Sequence, residues 1–511
     1  MKNERIVIDE GSLGKKLSEE FEEDEMKTAN PSDERKQLKR SAEKEEHSKK
    51  RRIKKVLVAN RGEIAVRIIR TLRDMGIKSV AIFSDVDRNS LHATMADESI
   101  CVGARSPKDS YLNKIQIINA ALVTGADAIH PGFGFLSENS SFAKMCEIYG
   151  IKFIGPSHRV MSAMADKDIS KKTMRALGIP VIDGSDDVVN SLKDALKIAE
   201  EIGYPVMIKA RAGGGGKGMR IVNSEDAMEF ALTSAKKEAE NAFGNGEVFI
   251  EKYIKSPRHI EVQILGDEHG NVIHLGCRDC SLQLNHQKII EEAPPVNLSE
   301  ELEEKLCKYA VKGAKEIGYY SAGTMEFLVS GDNLFFLEMN TRIQVEHPVT
   351  EMITGIDIVR AQINIAEKKK LKIKQENIKF RGHAIECRIN ACNVEEGFTP
   401  SVGKIKELNL PGGYGIRVDS GIYQGYDVLP FYDSMLMKII AWGENKKQAM
   451  AIMSRALEEL VVGGVSINNK FNGFLLEQKA FAKSKYTTSD MEEYMEEYAK
   501  LSESNRGKPM D

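Results

Sequence analysis

The segment TMEFLVSGDNLFFLEMN, residues 324–340, constrains the fold most strongly, because two apolar runs flank the turn signal GDN. It predicts a β-hairpin. With a three-residue loop, residue 328 faces residue 336, and Glu326 faces Glu338. Because side chains alternate along a strand, one face of the hairpin would enter the core. That face would hold Met325, Phe327, Phe335, Leu337 and Met339, and the opposite face would hold Glu326, Leu328, Phe336, Glu338 and Asn340.

Two carboxylates oppose each other on the polar face of this hairpin. Directly opposed residues have Cβ atoms only about 4.5–5.5 Å apart, and like charges there destabilise the pair. A divalent cation would offset the repulsion, and carboxylate and amide oxygens suit Mg²⁺ or Mn²⁺. The pattern therefore favours a metal site formed by Glu326, Glu338 and Asn340. The alternative is that both carboxylates splay into solvent, as surface acids usually do.

The hairpin leads directly into TRIQVEHPVTE, residues 341–351. Arg342 can bind an oxyanion with its guanidinium fork. Gln344 lies on the same side if the chain stays extended. Glu346 is a candidate general base, a role that needs only reach and that the sequence alone leaves open. His347 is better explained as a packed histidine than as a catalytic one.

From residue 54 to residue 157, short apolar runs alternate with amphipathic segments. Strands that alternate with helices predict a parallel, doubly wound sheet. No GxGxxG follows the first strand, so dinucleotide binding is not indicated. Farther along, a helix is expected over about 299–317, capped by Ser299. After about residue 380 the sequence predicts mainly β structure, and a helical stripe covers 446–462. The helix expected after the first strand would present one apolar face, made of Ala65, Ile68, Ile69, Leu72 and Met75.

The segment KARAGGGGKGM, residues 209–219, contains five glycines between 213 and 218. Backbone N–H groups of such a loop can approach phosphate oxygens closely. It is not a Walker A loop, since no Ser or Thr follows Lys217 and a strand rather than a helix comes next. We interpret it as a lid that closes over a nucleotide, with Lys209 as a phosphate partner. The alternative is a plain surface hairpin, although four consecutive glycines are entropically costly to order.

Composition narrows the classes of function. The chain has 511 residues, about three to four domains' worth by size, and a net charge of −3, which gives no bulk attraction to nucleic acid. No run of about 18 apolar residues is present, so no membrane span is expected. Seven cysteines, an odd number, with no secretory segment before them, favour a cytoplasmic protein with reduced thiols.

The first 55 residues differ from the rest, with 16 Lys or Arg and 14 Asp or Glu. No stable apolar period runs through them. Residues 1–53 are therefore predicted to form a disordered or loosely helical extension. A solvated tail without a specific task explains them better than a nucleic-acid-binding arm.

Cys277 and Cys280 form a CxxC pair, followed by His286. A zinc site needs about four ligands, commonly with a second close pair, and none follows. A redox CxxC normally opens a helix, whereas this one lies in a strand-like segment. The pair is therefore interpreted as neither a metal site nor a redox motif.

Ten motifs, in order, carry a resemblance to a known family. They are KVLVANRGEIAVRIIR, DAIHPGFGFLSEN, FIGPS, MADK, GYPVMIKARAGGGGKGM, RHIEVQ, HQKIIEEAP, FLEMNTRIQVEHPVTE, GHAIECRINA and FYDSMLMKII. Together they make residues 54 to about 470 resemble biotin carboxylase, the ATP-grasp component of biotin-dependent carboxylases.

The resemblance implies a fold of mixed α/β and α+β class. A doubly wound α/β domain would occupy 54–165, and an ATP-grasp domain 166–380, with a mobile glycine-rich lid at about 183–254. A β-rich domain would cover 381–497, and 498–511 would be a polar tail. The reaction implied is MgATP-dependent carboxylation of biotin. Bicarbonate would attack the γ-phosphate to give carboxyphosphate, and the CO₂ released would be captured by the deprotonated biotin nitrogen.

Site residues follow from the same motif matches. The nucleotide contacts would be Lys167 and Lys209 at the phosphates, Gly215 and Gly216 in the lid, Glu251, Lys252 and Ile254 at the adenine hinge, and His259, Gln283 and His286 beyond it. The metal ligands would be Glu326 and Glu338, assisted by Asn340. The bicarbonate pocket would be Lys288, Arg342, Gln344 and the backbone of Val345, with Glu346 as the base and Arg388 stabilising the biotin enolate.

Several positions depart from the family pattern. An acid is usual at Cys277, a tyrosine at Phe133, and two arginines at Leu284 and Asn285. A small residue is usual at the position of Arg211, and 463–472 also differs. The loss of two positive charges would weaken anion binding, shift subunit contacts or lower turnover. All the catalytic positions keep the expected residue types, so we expect an active enzyme.

No AMKM-like biotinylation site is present, so biotin would arrive on a separate biotin carboxyl carrier protein. We also expect a homodimeric assembly and a partner carboxyltransferase subunit. The acyl acceptor stays open among acetyl-CoA, as in acetyl-CoA carboxylase of fatty acid biosynthesis, propionyl-CoA, pyruvate and others. Two other functions compete: a non-catalytic nucleotide-binding homologue or scaffold, and an ATP-grasp ligase with another acceptor.

Overall fold

The computed structural model describes residues 4–6 and 52–506, apart from 186, 212–217 and 286. A six-stranded sheet opens the fold and is parallel throughout, as the alternating pattern predicted. Its strands, in spatial order, are Glu4–Ile6, Glu98–Gly103, Lys78–Ser84, Lys55–Val58, Ala128–His130 and Lys152–Phe153.

The edge strand Glu4–Ile6 lies inside the extension that was predicted to be disordered or helical, and for these three residues the prediction was wrong. Their backbone pairs in parallel with residues 98–100, because an edge strand offers unpaired backbone groups to any extended segment. Residues 1–3 and 7–51 lie outside the described part of the chain.

Helices cover the parallel sheet. The first begins at Gly62, and Ala65, Ile68, Ile69 and Leu72 of its predicted apolar face are fully buried. Asn113, Asn139 and Ser157 cap later helices by accepting a hydrogen bond from a backbone N–H. The helices are Gly62–Asp74, Leu91–Met95, Lys114–Thr124, Ser140–Ile148 and His158–Ala165, with 3₁₀ turns at Asp85–Asp87 and Pro107–Asp109.

A second, eight-stranded sheet is antiparallel and forms the centre of the molecule. Five of its strands come from the predicted ATP-grasp region and three from beyond residue 380, so one sheet crosses the expected domain boundary. In spatial order its strands are Asn333–Asn340, Ser321–Ser330, Arg258–Gly266, Val272–Leu284, Gln287–Ala293, His383–Asn390, Met435–Gly443 and Ile416–Ser420.

The hairpin at the edge of this sheet pairs Glu326 with Glu338, as predicted. Its turn is one residue shorter than expected, since Ser330 pairs with Asn333. A bulge between Glu326 and Phe327 then shifts the pairing by one residue, and this brings Glu326 opposite Glu338. The predicted faces are therefore wrong beyond the bulge on the second strand, whereas Phe327 of the first strand is buried as predicted. Phe336 is fully buried in the core, whereas Phe335 and Leu337 are only half-buried.

A three-stranded antiparallel sheet, which we call the lid sheet, contains Val206–Ala210, Arg220–Val222 and Val248–Lys252. Strands thus flank the glycine-rich segment, as predicted, and the segment itself (212–217) lies outside the described residues. Two helices, Leu192–Ile202 and Met228–Phe243, pack on the lid sheet and bury its apolar side chains.

The remaining helices pack around the eight-stranded sheet. Ser299 caps the predicted central helix by accepting a hydrogen bond from Leu302 N. The helix predicted over 446–462 ends at Glu459, because the chain enters a short strand at Val461. The helices are Lys167–Ala176, Glu300–Glu316, His347–Thr354, Ile358–Ala366, Lys446–Glu459, Asn469–Glu477, Lys479–Ala482 and Met491–Arg506.

The helix Met491–Arg506 continues across residue 498, where a polar tail had been expected to begin. Met491 and Tyr494 are buried in the C-terminal core, which explains why the helix persists despite its polar sequence. Within the described part of the chain, no helix combines the length and apolar character that a membrane span requires.

Three two-stranded antiparallel pairs complete the part of the fold after residue 380. They are Cys392–Asn393 with Thr399–Pro400, Gly403–Lys404 with Asp427–Val428, and Glu407–Asn409 with Val461–Gly463.

Candidate active site

Charged side chains gather on one face of the eight-stranded sheet. Along the strand Arg258–Gly266, the alternating residues His259, Glu261 and Gln263 all point to this face and are buried. Buried charges are costly unless paired, so each needs partners from neighbouring strands.

Lys288 is the centre of this cluster. Its Nζ donates hydrogen bonds to Glu261 Oε2 at 2.6 Å, to Glu346 Oε1 at 2.6 Å and to Glu326 Oε1 at 3.0 Å. Burial alone would lower the pKa of Lys288, but the three carboxylates outweigh burial and raise it well above its usual value. Lys288 is therefore a permanently charged cation, held in place by three acceptors.

Glu346 lies between Lys288 and Arg388, whose Nη2 donates to Glu346 Oε2 at 3.0 Å. Burial would raise the pKa of Glu346, but these two cations hold it well below the usual range. Arg388 is fixed in turn by Glu291, which accepts from its Nε at 2.6 Å. The predicted base and the predicted enolate-binding arginine are thus in direct contact.

The two carboxylates of the hairpin have different environments. Burial would raise the pKa of Glu326, but Lys288 and then His259 lower it, and His259 Nε2 lies 2.9 Å from Glu326 Oε2. Burial, and then the charge of Glu326, raise the pKa of Glu338. Asn340 Nδ2 donates to Glu326 Oε1 at 2.9 Å and lies 3.5 Å from Glu338 Oε1. Glu338 is therefore a half-buried carboxylate whose charge the protein leaves under-compensated.

This arrangement fits a divalent cation. Glu338, Asn340 and Lys167 line a cavity of about 180 Å³, so the predicted metal ligands and the lysine predicted to bind phosphate share one space. A cation bound there would supply the positive charge that Glu338 lacks. Among the described residues, a carboxylate oxygen of Glu326 also lies within 4.8 Å of ligand atoms of His259 and Glu261.

Arg342 and Gln344 extend from the hairpin into the same region. Arg342 donates to Asn340 Oδ1 at 2.6 Å and to Glu138 Oε2 at 2.8 Å. Gln344 Nε2 donates to Glu326 Oε1 at 2.7 Å, so both side chains contact polar residues of the hairpin. The carbonyl of Val345 accepts a hydrogen bond from Lys438 Nζ at 2.6 Å.

The nucleotide-side residues form a separate group. Lys209 Nζ donates to Glu251 Oε2 at 2.5 Å, and Lys171 pairs with the other oxygen. Burial would raise the pKa of Glu251, but the two lysines lower it to about 2. Lys252 Nζ donates to the carbonyl oxygens of residues 203 and 204, each at 3.0 Å, and Ile254 follows this strand. A phosphate must therefore compete with Glu251 for Lys209.

Gln283 lies beside His259, with 3.0 Å between its Nε2 and His259 Nδ1. These two predicted nucleotide contacts are thus neighbours, and Gln283 pairs in register with Lys288 on the adjacent strand. The other predicted contacts, Gly215, Gly216 and His286, lie outside the described residues. Leu284 and Asn285, where two arginines were expected, line a cavity of about 150 Å³ that Lys288 and Arg388 also line.

Sequence reasoning missed a residue at the centre of the network, Arg278, which is fully buried. Its guanidinium donates to Gln344 Oε1 at 2.5 Å and to Gln263 Oε1 at 2.7 Å, and forms an ion pair with Glu261 at 2.5 Å. Arg278 therefore positions a predicted site residue without facing the cavities.

Glu138, Glu261, Glu291 and Lys438 were missed as well. A usable signal existed for Glu261, because three polar residues alternate in RHIEVQ within an otherwise apolar strand. Glu138, Glu291 and Lys438 lie inside motifs that carried the resemblance, but nothing in their local pattern indicates which partner they bind.

Comparison with known proteins identifies the family. Residues 52–161 match the biotin carboxylase N-terminal domain, 166–374 the ATP-binding domain of the carbamoyl-phosphate synthase L chain, and 386–493 the biotin carboxylase C-terminal domain. Biotin carboxylase 1 of Bacillus subtilis is 49% identical over 444 residues, which is 86% of this chain and 99% of that protein. The chain belongs to the biotin carboxylase family.

Another relative is the biotin carboxylase of Haemophilus influenzae, 49% identical over 84% of this chain and 96% of that protein. Among solved structures, a biotin carboxylase complex from Campylobacter jejuni has a TM-score of 0.83 at 48% identity and covers 86% of this chain and 99% of its own. The biotin carboxylase domain dimer of Hydrogenobacter thermophilus 2-oxoglutarate carboxylase, with MgADP and bicarbonate, also scores 0.83, at 49% identity over 87% and 98% of the two chains. The predicted fold class is confirmed.

Proposed function

We propose that this chain is the biotin carboxylase component of a biotin-dependent carboxylase and transfers carboxyl groups from bicarbonate to biotin with hydrolysis of MgATP. The observation that carries the proposal is the contact of Glu346 with both Lys288 and Arg388. A base held between two fixed cations can take a proton from an anion that binds beside it.

ATP is proposed to bind between the lid sheet and the hairpin. Lys167 and Lys209 would neutralise its phosphates, and Lys209 would leave Glu251 to do so. Glu326, Glu338 and Asn340 would hold Mg²⁺ or Mn²⁺. When bound, the cation would neutralise phosphate charge during phosphoryl transfer.

Bicarbonate is proposed to bind beside Lys288, Arg342 and Gln344, close to Glu346. Once an anion accepts hydrogen bonds from Lys288, the cation's charge is shared and the pKa of Glu346 rises toward that of a working base. Glu346 would then accept the bicarbonate proton, and the oxyanion would attack the γ-phosphate and displace ADP. Carboxyphosphate would break down to CO₂ and phosphate, the phosphate would take the proton from the biotin nitrogen, and Arg388 would stabilise the negative charge on biotin as this nitrogen captures the CO₂.

The finer assignments are part of this proposal. We propose a homodimer in the cytoplasm that receives biotin on a carrier protein and works with a carboxyltransferase subunit. Relatives of this chain include biotin carboxylases, a component of pyruvate carboxylase and the small subunit of 2-oxoglutarate carboxylase. Because the names of these relatives refer to different acceptors, we propose that the carboxyltransferase subunit selects the acceptor.

The test is bicarbonate-dependent ATP hydrolysis by the full chain, measured with and without free biotin. The proposal predicts that hydrolysis requires bicarbonate and is stimulated by biotin. Tight MgATP binding without hydrolysis would contradict it and support a non-catalytic homologue. Hydrolysis that biotin does not stimulate, but another acceptor does, would support an ATP-grasp ligase with that acceptor.

A further inference from the structure

Two buried cysteines lie side by side behind the active site. Cys277 and Cys307 are 1% and 5% exposed, and their sulfur atoms are 3.7 Å apart. Cys277 lies in the strand Val272–Leu284 and Cys307 in the helix Glu300–Glu316. Because the two residues belong to different elements, no local sequence motif indicates the pair. None of the seven cysteines forms a disulfide bond in the structure.

The partner of Cys277 is therefore not Cys280 of the CxxC motif. Cys277 pairs in register with Val262, on the core face of the sheet. Cys280 instead has its sulfur within 4.8 Å of carboxylate oxygens of Glu261 and Glu346, on the opposite face. The two thiols of the motif thus lie in different environments.

The environment of the Cys277–Cys307 pair favours one thiolate next to one thiol. The hydrogen bond between the two sulfur atoms, despite burial, lowers the pKa of Cys307 to about 6, with further help from His274. The same interaction and burial raise the pKa of Cys277. A thiolate is the species that reacts with oxidants, and an adjacent thiol can resolve the product.

We propose that Cys277 and Cys307 are a redox-sensitive pair that a peroxide converts into a reversible disulfide, which lowers the activity of the enzyme. The Cys307 thiolate would attack one peroxide oxygen, giving a sulfenic acid and releasing hydroxide. The Cys277 sulfur would then attack the Cys307 sulfur, the S–S bond would form, and the sulfenic oxygen would leave as water. An excess of small thiol would reduce the disulfide and restore both side chains.

The disulfide would act on the active site through Arg278, the residue after Cys277. The sulfurs must approach by roughly 1.7 Å, from 3.7 Å to a bond of ~2.05 Å, so the strand or the helix must shift. Arg278 holds Glu261 and Gln344, and both of these contact Lys288 or Glu326. A shift of the strand at Cys277 therefore displaces groups that the proposed reaction needs.

A metal site is a poorer explanation of the pair. Two sulfurs at this separation could both bind zinc, but a structural zinc site needs about four ligands. Among the described residues, no third ligand atom of His, Cys, Asp or Glu lies within 4.8 Å of both sulfurs.

The first experiment treats the full chain with hydrogen peroxide and maps its cysteines by mass spectrometry without reduction. We expect a cross-linked pair of peptides containing Cys277 and Cys307, with a mass loss of two hydrogens. Cys307→Ala should give no such cross-link, and Cys307→Ser serves as a second variant if the first folds poorly. The control is Cys101→Ala, because Cys101 is a more exposed cysteine in the six-stranded sheet and should behave as the wild type.

The second experiment measures bicarbonate-dependent ATP hydrolysis on the same samples, and this activity step rests on the proposed function. We expect oxidation to lower the rate about tenfold or more, since misplacing catalytic groups by ~1 Å can cost on the order of 100-fold. Dithiothreitol should restore the rate of hydrolysis. The Cys307→Ala variant should retain its rate after treatment with peroxide.

Three outcomes would overturn the proposal. They are oxidation of Cys307 without the cross-link, a cross-linked enzyme with an unchanged rate, and stoichiometric zinc in the purified protein that Cys307→Ala removes. If the reduced wild type hydrolyses no ATP, the proposed function fails, while the mass spectrum still decides whether the disulfide forms.

Discussion

The eight-stranded sheet buries its charged side chains against one another, whereas the charged side chains in and beside the lid sheet are mostly half-buried or exposed. Arg278 and Glu261 of the central sheet are fully buried in one ion pair. Arg211 and Arg220, beside and within the lid sheet, are 46% and 42% exposed. The exception in the lid sheet is Glu251, which is buried between two lysines.

The difference indicates how each sheet meets its ligand. In the central sheet, the cations Arg278, Lys288 and Arg388 already have carboxylate partners, so the site is fixed in position before substrate binds. In the lid sheet, Lys209 is held by the carboxylate of Glu251, which a phosphate would replace in the proposed function. The central sheet should therefore respond to mutation with large losses of stability, and the lid sheet with losses of nucleotide affinity.

The largest expected effect comes from breaking the network at Arg278. Arg278→Met should lower the free energy of unfolding by about 3–5 kcal/mol, because it leaves the buried Glu261 without one of its two cations. The measurement is urea denaturation. The matched control is Arg220→Met, which breaks the partly exposed ion pair with Glu238 and should cost about 1 kcal/mol. Equal losses in the two variants would remove the contrast between the sheets.

The second effect concerns the buried charge of the lid sheet. The pKa of Glu251 is lowered to about 2 from 4.5, so its carboxylate should contribute about 3 kcal/mol of stability above pH 4.5. Because the folded pKa is the lower one, this contribution is lost as pH falls from 4.5 toward 2. Glu251→Gln should therefore be less stable than the wild type at pH 7, with a gap that shrinks by about 1.4 kcal/mol per pH unit below 4.5. Urea denaturation at several pH values checks this, and a gap independent of pH would contradict it.

The third effect tests the cation site of the hairpin. Glu338→Gln keeps the shape of the side chain and removes its charge. ATP hydrolysis should fall at least about 100-fold, since a bound metal supplies several kcal/mol of transition-state stabilisation. Titration with Mn²⁺ should show weaker binding in the presence of ATP. The control Glu304→Gln changes an exposed acid, and a near-normal rate in Glu338→Gln would refute the role of the opposed carboxylates.

The smallest effect is expected in the lid sheet. Lys209→Met should raise the KM for ATP about tenfold, the size of one charge-assisted hydrogen bond, and should lower stability by part of the contribution of Glu251, because it removes one of the two lysines that hold this carboxylate. Lys237→Met, on the exposed face of the neighbouring helix, is the control and should leave KM unchanged. A loss of stability without a change in KM would place Lys209 in the structural network instead.

Much of the fold follows from local patterns in the sequence. Strand and helix alternation predicted the parallel sheet, and the hairpin signal placed Glu326 opposite Glu338. The bulge that buries Phe336 was not predictable, because the choice between two registers depends on the core that each face meets.

The partners of buried charges were harder to predict. Lys288, Arg388 and Glu346 were each assigned by motif, but their contacts join strands that are far apart in sequence. Arg278 gave no signal, since a single arginine in a strand usually indicates an exposed position. Cys277 and Cys307 likewise meet only when a helix packs on the sheet. Such pairs depend on tertiary packing, which local periodicity does not encode.

The central claim is that this chain places a carboxyl group on biotin. The direct measurement is the transfer of label from radioactive bicarbonate to free biotin by the full chain in the presence of ATP and Mg²⁺. We predict an acid-labile labelled biotin that requires both ATP and Mg²⁺ and is lost in Glu338→Gln. Hydrolysis of ATP without any label on biotin would contradict the account.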